Sequence, residues 1–421
     1  MNLTDLQTAL VLFALLVAPL AAAGLALINS GLGRSRNAAH AMMASLCAVA
    51  VAACAYFILG HSLQGAAGER ARVVMIAGKP WDLLGAMPPF FVRLPAGGTP
   101  AFLAALMGME SVSLAALIPL GAGGERWRLI SVCGSAVLLA AIAFPVFAHW
   151  SWGGGWLAKL GFVDTGGAGS IHALGGLTAL AVVWLLGPRR GKYSSDGMPM
   201  AMPGHSVVFV LFGCMLAAAG WLGLNAAGAI LFAGADVGRL AMVGVNTILG
   251  ASAAALVAAV VTKVRFGRPD ASLTANGWVG GLVAVSSGCA FLPPAAAVLT
   301  GLVAGGLVTF SVEMLELRLE VDDPGGSVSV HAVAGMWGLL ATGVLGRFPG
   351  GNGAVMLAQV AGVSTLLGFV LPASWGMNAL LARIVPMRVS REGERQGMDL
   401  FELGAGAYPD FVVHTDDFMP R

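Results

Sequence analysis

The chain reads as an all-α integral membrane protein of eleven transmembrane helices, arranged as a five-plus-five inverted repeat with the N-terminus outside and the C-terminus in the cytoplasm. Composition carries the first part of that reading. Of 421 residues 57% are apolar and 10% charged, mean hydropathy is +0.84, and apolar runs reach spanning length again and again. Lysine and arginine fall unevenly between the two sets of loops, which orients the chain. One pattern occurs twice, each copy placing a histidine inside an apolar run that opens a hydrophobic segment, which is the mark of an internal repeat.

The spans are expected at roughly 6–31, 38–62, 99–121, 129–149, 168–187, 204–227, 238–262, 272–291, 293–317, 328–347 and 353–385, most of them near the twenty apolar residues that a bilayer core asks of a helix. The first has an acidic flank and outruns a signal-peptide core, so it is read as a retained helix. Residues 63–98, with Pro80, Pro88, Pro89 and Pro95, form the one long external segment and a surface cap. The run His149-Trp150-Ser151-Trp152-Gly-Gly-Gly155-Trp156 is too rich in glycine and tryptophan for plain helix and is read as a turn at the outer mouth. Residues 1–386 then make a transmembrane domain, with repeats at about 6–187 and 204–347 and a last helix at 353–385. Residues 387–421 make a polar cytoplasmic tail, a candidate regulatory element. Sixty glycines let helices approach closely in a compact bundle. The five cysteines stand singly in apolar runs without CxxC spacing, which argues against a disulfide framework or a zinc site. A net charge of +2 gives no reason to expect a nucleic-acid partner.

Placing the loops after odd spans and the tail on one side collects sixteen lysines and arginines there and leaves seven on the other, so the tail side is cytoplasmic. The two copies read Asp164-Thr-Gly-Gly-Ala-Gly-Ser-Ile-His172-Ala-Leu-Gly-Gly176 and Asp323-Pro-Gly-Gly-Ser-Val-Ser-Val-His331-Ala-Val-Ala-Gly335, with seven identities in thirteen positions. They open the fifth and tenth spans, which enter the membrane from opposite faces. Eight helical residues advance about 12 Å, close to half of a core about 30 Å thick, so both histidines are expected at the midplane, meeting there if the two helices pack together.

These residues resemble the ammonium transporter family, its Amt/Mep branch. The likeness runs through Trp152-Gly-Gly-Gly-Trp-Leu-Ala-Lys-Leu-Gly-Phe-Val-Asp164, Gly-Ser-Ile-His172, Gly220-Trp-Leu-Gly-Leu-Asn225, Asp322-Asp-Pro-Gly-Gly-Ser-Val-Ser-Val-His331 and the tail's Glu394-Arg-Gln-Gly-Met-Asp-Leu with Ala407-Tyr-Pro-Asp. It implies eleven helices, a homotrimer with one pore per subunit, ammonium uptake across a bacterial inner or plasma membrane, and a cytoplasmic face that binds a PII-type regulatory protein. By the same resemblance His172 and His331 are a twin-histidine proton relay, Trp152 is the outer recruitment site, and Asp164 is the family's essential aspartate.

The physics of the residues agrees in part. Ammonium and potassium are similar monovalent cations, and an apolar pore excludes both as bare ions, since an unpaired charge in low dielectric costs several kcal/mol or more. Ammonium has a proton to give up and potassium has none. Two adjoining imidazoles, each able to donate at one nitrogen and accept at the other, offer a path for that proton while ammonia crosses beside them. An indole face attracts a cation by roughly 0.5–2 kcal/mol. A carboxylate at Asp164 would accept hydrogen bonds from free helix N–H groups and lend a negative field to an arriving cation.

Several positions depart from the family's pattern. Its outer gating phenylalanine falls on Ser111, the second phenylalanine on Leu224, the serine of the recruitment site on Gly228, and a tail histidine on Leu403. Glu110, within the third span, is an ionisable residue in a membrane helix; it is expected to face the outer pore and supply the cation attraction that Ser111 and Gly228 do not. Against these stand plainer roles: packed histidines, an interface anchor at Trp152, a helix cap at Asp164, and an ordinary polar pair for Glu110. His40, His61, His149, His205 and His414 lie near the interfaces or in the tail and are read as ordinary. Asp322 and Asp323 are read as a cap on the tenth span. The leading function is ammonium transport. An ammonium sensor of the same fold and a neutral small-solute channel for ammonia or carbon dioxide are the alternatives. Nothing near the histidines suggests an enzyme, a cofactor or a metal centre.

Overall fold

The computed structural model describes residues 3–67, 71–92, 94 and 99–408. Pro95, Pro409, Asp410 and His414, named above, lie outside the described residues, as do Arg70, Arg93 and Arg421 among the basic residues counted there. Among the described residues ten helices are long and apolar enough to cross a membrane. They are α1 (Asp5–Leu32), α2 (Ser35–Gln64), α3 (Thr99–Gly123), α4 (Leu129–Leu160), α5 (Ala168–Leu186), α6 (Val207–Leu231), α7 (Val237–Phe266), α9 (Pro294–Arg318), α10 (Val328–Leu345) and α11 (Asn352–Ile384). Between α7 and α9 stands α8 (Ala271–Ser286), of 16 residues. At 1.5 Å per residue it is about 24 Å long, short of a full crossing. Its end has a cause: the carbonyls of Ser286 and Ser287 accept the amides of Gly166 and Thr165 instead of continuing the helix.

Local chemistry sets the other irregularities. α1 breaks at Ala18 because Pro19 brings no N–H to the ladder. α4 opens at Trp152 after its main helix ends at Ser151, then makes one more short turn, Trp156–Leu160. The segment between α2 and α3 contains a two-stranded antiparallel hairpin, β1 (Ala71–Ile76) and β2 (Lys79–Gly85). It docks on the end of α4: Trp150 Nε1 donates to the Leu83 carbonyl at 2.8 Å, and His149 Nε2 lies 2.9 Å from the Asp82 carboxylate. His149 therefore holds the cap in place.

At the other end an ionic knot ties the loops together. Arg189 donates to both carboxylate oxygens of Asp322, at 2.9 Å each, and to Glu125 at 2.9 Å. Arg126, fully buried, donates to the carbonyls of Asp322 and Gly187 at 2.8 and 2.9 Å. Burial works to raise the Asp322 carboxyl, and Arg189 and Arg126 together overcome it, leaving it below the usual aspartate range. Asp322 thus pairs with arginine, and Asp323 alone caps α10.

Candidate functional site

The two copies of the repeat fold alike. In each the second glycine of the Gly-Gly pair takes a left-handed conformation, Gly167 at φ 85° and Gly326 at φ 67°. The chain then enters its helix through a wide π-helical turn, Ala168–Ala173 in one copy and Val328–Val333 in the other, and each turn carries its histidine. The aspartate eight positions earlier caps that turn. Asp164 accepts from the amides of Gly169 and Ser170, the latter at 2.7 Å, and from Ser170 Oγ at 2.7 Å. Asp323 accepts from the amides of Ser327 and Val328, at 3.0 and 2.7 Å. These amides are the orphan donors of a helix start, which favour an anion on both hydrogen-bonding and dipole grounds.

Another identity, the glycine four past each histidine, brings the helices together. A Cβ on Gly176 would stand 2.3 Å from the Ala332 amide, and one on Gly335 would stand 2.5 Å from the Ala168 carbonyl. Later positions of each helix meet earlier positions of the other, the pattern of an antiparallel crossing. At that crossing the rings of His172 and His331 lie 5.4 Å apart, centroid to centroid, and inclined by 27°. The indole of Trp221 stacks on His172 at 4.8 Å and 9°.

All three side chains are buried. Both ring nitrogens of His172, Nδ1 of His331 and Nε1 of Trp221 have no hydrogen-bond partner among the described residues. Each such group costs about 1–3 kcal/mol, so packing alone is a poor reason for their presence. What the arrangement offers is a set of imidazole and indole nitrogens, buried and free to donate or accept hydrogen bonds.

Just before α5 begins, Trp152 Nε1 donates to the Asp164 carbonyl at 2.7 Å, and the Ser151 and Ser170 hydroxyls lie 2.8 Å apart. Trp152 and Asp164 are thus neighbours at the mouth of α5. The edge of Phe144 meets the indole at 6.3 Å, and Phe232 stacks on its face at 4.4 Å and 5°.

The three substituted positions are buried around this axis. Arg126, just past α3, bonds the carbonyl of Gly187, just past α5, and Gly175 packs on Ala115 and Ile118, so α3 and α5 run side by side in one direction. One turn back along each helix sets Ser111 level with Ile171 and His172. The Ser111 hydroxyl is buried without a partner among the described residues. Leu224 is packed in the core, and Gly228 abuts the Thr165 carbonyl.

Glu110 is a correction. It lines a groove of about 460 Å³ walled by Ala22, Met42, Val49 and Met109 from α1, α2 and α3, with Ser45 and Ser113 as its polar neighbours. None of Trp152, Asp164, His172 or His331 borders that groove. The reason is helical phase: with Ser111 pointing into the core, the preceding side chain is turned about 100° away.

Trp221 and Phe232 were not singled out from the sequence. Trp221 stood inside a motif that was legible, while Phe232 carries no sequence signal and depends on the path of the loop after α6. Among the other histidines, His40 lies 2.9 Å from Glu402 and His205 2.9 Å from the Tyr408 hydroxyl, both tail residues. His61 is buried between Tyr56 and Phe91.

A bundle of apolar spans around a buried imidazole pair defines a multi-pass membrane protein. The chain belongs to the ammonium transporter family: the profile described as Ammonium Transporter Family matches residues 8–408. It is 34% identical to ammonium transporter Amt2 of Archaeoglobus fulgidus, across 94% of this chain and 87% of that one. It is 27% identical to the ammonium transporter of Bacillus subtilis, across 96% and 98%. Among solved structures it superposes on one described as a Sensor Amt Protein with a TM-score of 0.87 at 26% identity, covering 94% of this chain and 98% of that one. Mep2 of Candida albicans, at 24% identity and a TM-score of 0.80, shares the fold, covering 96% and 90%.

Proposed function

We propose that the protein moves ammonium across the membrane by taking its proton from it: the ion is recruited near Trp152 in the field of Asp164, and ammonia and the proton travel past and along His172 and His331. The observation that carries this is the imidazole pair itself, two rings 5.4 Å apart and inclined by 27° at an antiparallel crossing, with three of their nitrogens lacking a partner among the described residues. The physical logic is differential. Charge is expensive in such a passage, an ion with a transferable proton escapes that cost, and an alkali cation does not.

The same reading takes α8 as an eleventh, shorter crossing, the N-terminus outside and the tail in the cytoplasm, and α5 and α10 as corresponding members of an inverted repeat. It carries residues 1–386 as the transport domain and 387–421 as the tail, in a homotrimer of a bacterial inner membrane with the cytoplasmic face open to a PII-type protein. A second reading, an ammonium sensor with little flux, is favoured by the likeness to the Sensor Amt Protein.

The test is reconstitution into liposomes with current recorded on ammonium and potassium pulses. Current is expected on ammonium alone, and His172→Asn is expected to reduce it at least about tenfold, the factor of a barrier raised by about 1.4 kcal/mol. Equal current on potassium rejects the relay. Tight ammonium binding without current selects the sensor.

A further inference from the structure

We infer that Phe232 and Thr165 complete the outer cation site of this chain: Phe232 is the aromatic side chain that an arriving ammonium ion displaces from the face of Trp152, and the Thr165 hydroxyl is the acceptor that then takes one of its hydrogens. The inference rests on the reading of Trp152 as the recruitment residue and names the partners that act with it.

Four observations meet here. The rings of Phe232 and Trp152 are parallel within 5° at 4.4 Å, so nothing fits between them while Phe232 is seated. The indole cannot move away to make room, because its Nε1 is bonded to the Asp164 carbonyl and its side is packed by Phe144. Phe232 is free to do so. It is the residue that ends α6, half-buried, with its amide bonded to Gly228, and two residues on stands Gly234 at φ 60° in open space. A torsional change in that short segment swings the ring without disturbing the helix. Finally, a Cβ on Gly228 would lie 2.1 Å from the Thr165 carbonyl, so position 228 has no space for a hydroxyl-bearing side chain. Yet the Thr165 hydroxyl, buried and adjacent to the Asp164 carbonyl that holds the indole, has no partner among the described residues.

The chemistry selects the ligand. An indole face and a hydroxyl acceptor suit a small cation with N–H donors, and a phenyl ring leaves the indole only for a competitor that gains more there than the ring does. Each methyl added to ammonium removes a donor and enlarges the ion, so Phe232 also sets a size limit on what reaches the relay.

The experiment uses the full chain in liposomes, with half-saturating concentrations measured for ammonium and for methylammonium, and ammonium binding followed by calorimetry on solubilised protein so that a variant without flux is still read. Phe232→Ala is expected to lower half-saturation for ammonium by about three- to tenfold and to raise the methylammonium-to-ammonium rate ratio, the range that a cation–π contact released from competition allows. Phe232→Leu, which keeps packing volume but not the stacked ring, is expected to shift both quantities in the same direction. Thr165→Val is expected to raise half-saturation severalfold with the maximal rate little changed. Unchanged half-saturation and rate ratio in both Phe232 variants overturn the inference. If Trp152→Leu raises half-saturation in that same series, Phe232 alone is rejected; if Trp152→Leu also changes nothing, the recruitment reading falls with it.

Discussion

Gly228 shows how one position constrains its neighbours. Any side chain there would have to enter the Thr165 carbonyl, and Gly166 in the same turn is held as closely, a Cβ on it standing 1.9 Å from the Asn225 side-chain oxygen. The turn cannot retreat, since the Thr165 and Gly166 amides are bonded to the end of α8. Gly228→Ser is therefore expected to destabilise the protein by about 1–3 kcal/mol, the cost of overpacking, and not to improve recruitment. A thermal midpoint in detergent that fails to fall would show that the turn gives way. At this scale the sequence was uneven in what it disclosed. The duplicated histidines, their aspartates and their glycines were legible because a repeat reports on geometry. The face of Glu110 was not: a helix apolar all round has no amphipathic stripe to mark its inner side, so neighbouring positions 110 and 111 gave no hint of which one meets the core. Stacking partners such as Phe232 were equally hidden, because they come from loops whose paths no periodicity encodes.

The hairpin of β1 and β2 is the element most dependent on what it touches. Two strands alone are marginal in water, and Val73, Val74, Met75 and Ile76 are exposed along β1, so the hairpin persists through its seat on α4. Asp82 supplies much of that seat, bonded to Lys159 at 2.7 Å and to His149 at 2.9 Å. Burial works to raise its carboxyl, and the bonds from Lys159 and His149 outweigh burial, so the folded value lies below the ordinary one. A carboxylate depressed in the folded state lends stability that is full above its unfolded range, near pH 4, and is lost as the pH falls through the folded value. Hydrogen-exchange protection of residues 71–85 is therefore expected to hold from neutral pH to about pH 4 and to drop below it. Asp82→Asn should lower protection at neutral pH and remove the step. Protection that instead declines as the pH rises would contradict the assignment to Asp82.

For the molecule as a whole, most spans expected from hydropathy fall within a few residues of the helices observed, because length and apolarity are what a bilayer demands. α4 runs on past its expected end through the turn at Trp152 to Leu160, and α8 stops short, ended by hydrogen bonds from a segment distant in sequence, which no local pattern announces. The tail was legible as a polar segment carrying a motif of the family, without any sign of what it touches. In the structure it closes the helix ends: Asp399 accepts from the amides of Ala39 and His40 in the first turns of α2, and Glu402 accepts from the Leu129 amide that begins α4 while meeting His40 and Arg128. Two helix N-termini thus take their caps from a segment more than 250 residues away. A cap is worth about 0.5–2 kcal/mol, and both are lost together if the tail detaches. The double variant Asp399→Ala, Glu402→Ala is expected to lower the thermal midpoint in detergent and to make the chain beyond Met387 cleavable by trypsin at Arg391 and Arg395, while each single variant gives a smaller part of both effects. Equal tail cleavage in the unaltered protein and the double variant would mean that these carboxylates do not hold the tail, and that its contact with α2 and α4 is carried by the Arg388 and Glu394 bonds to the loop after α5.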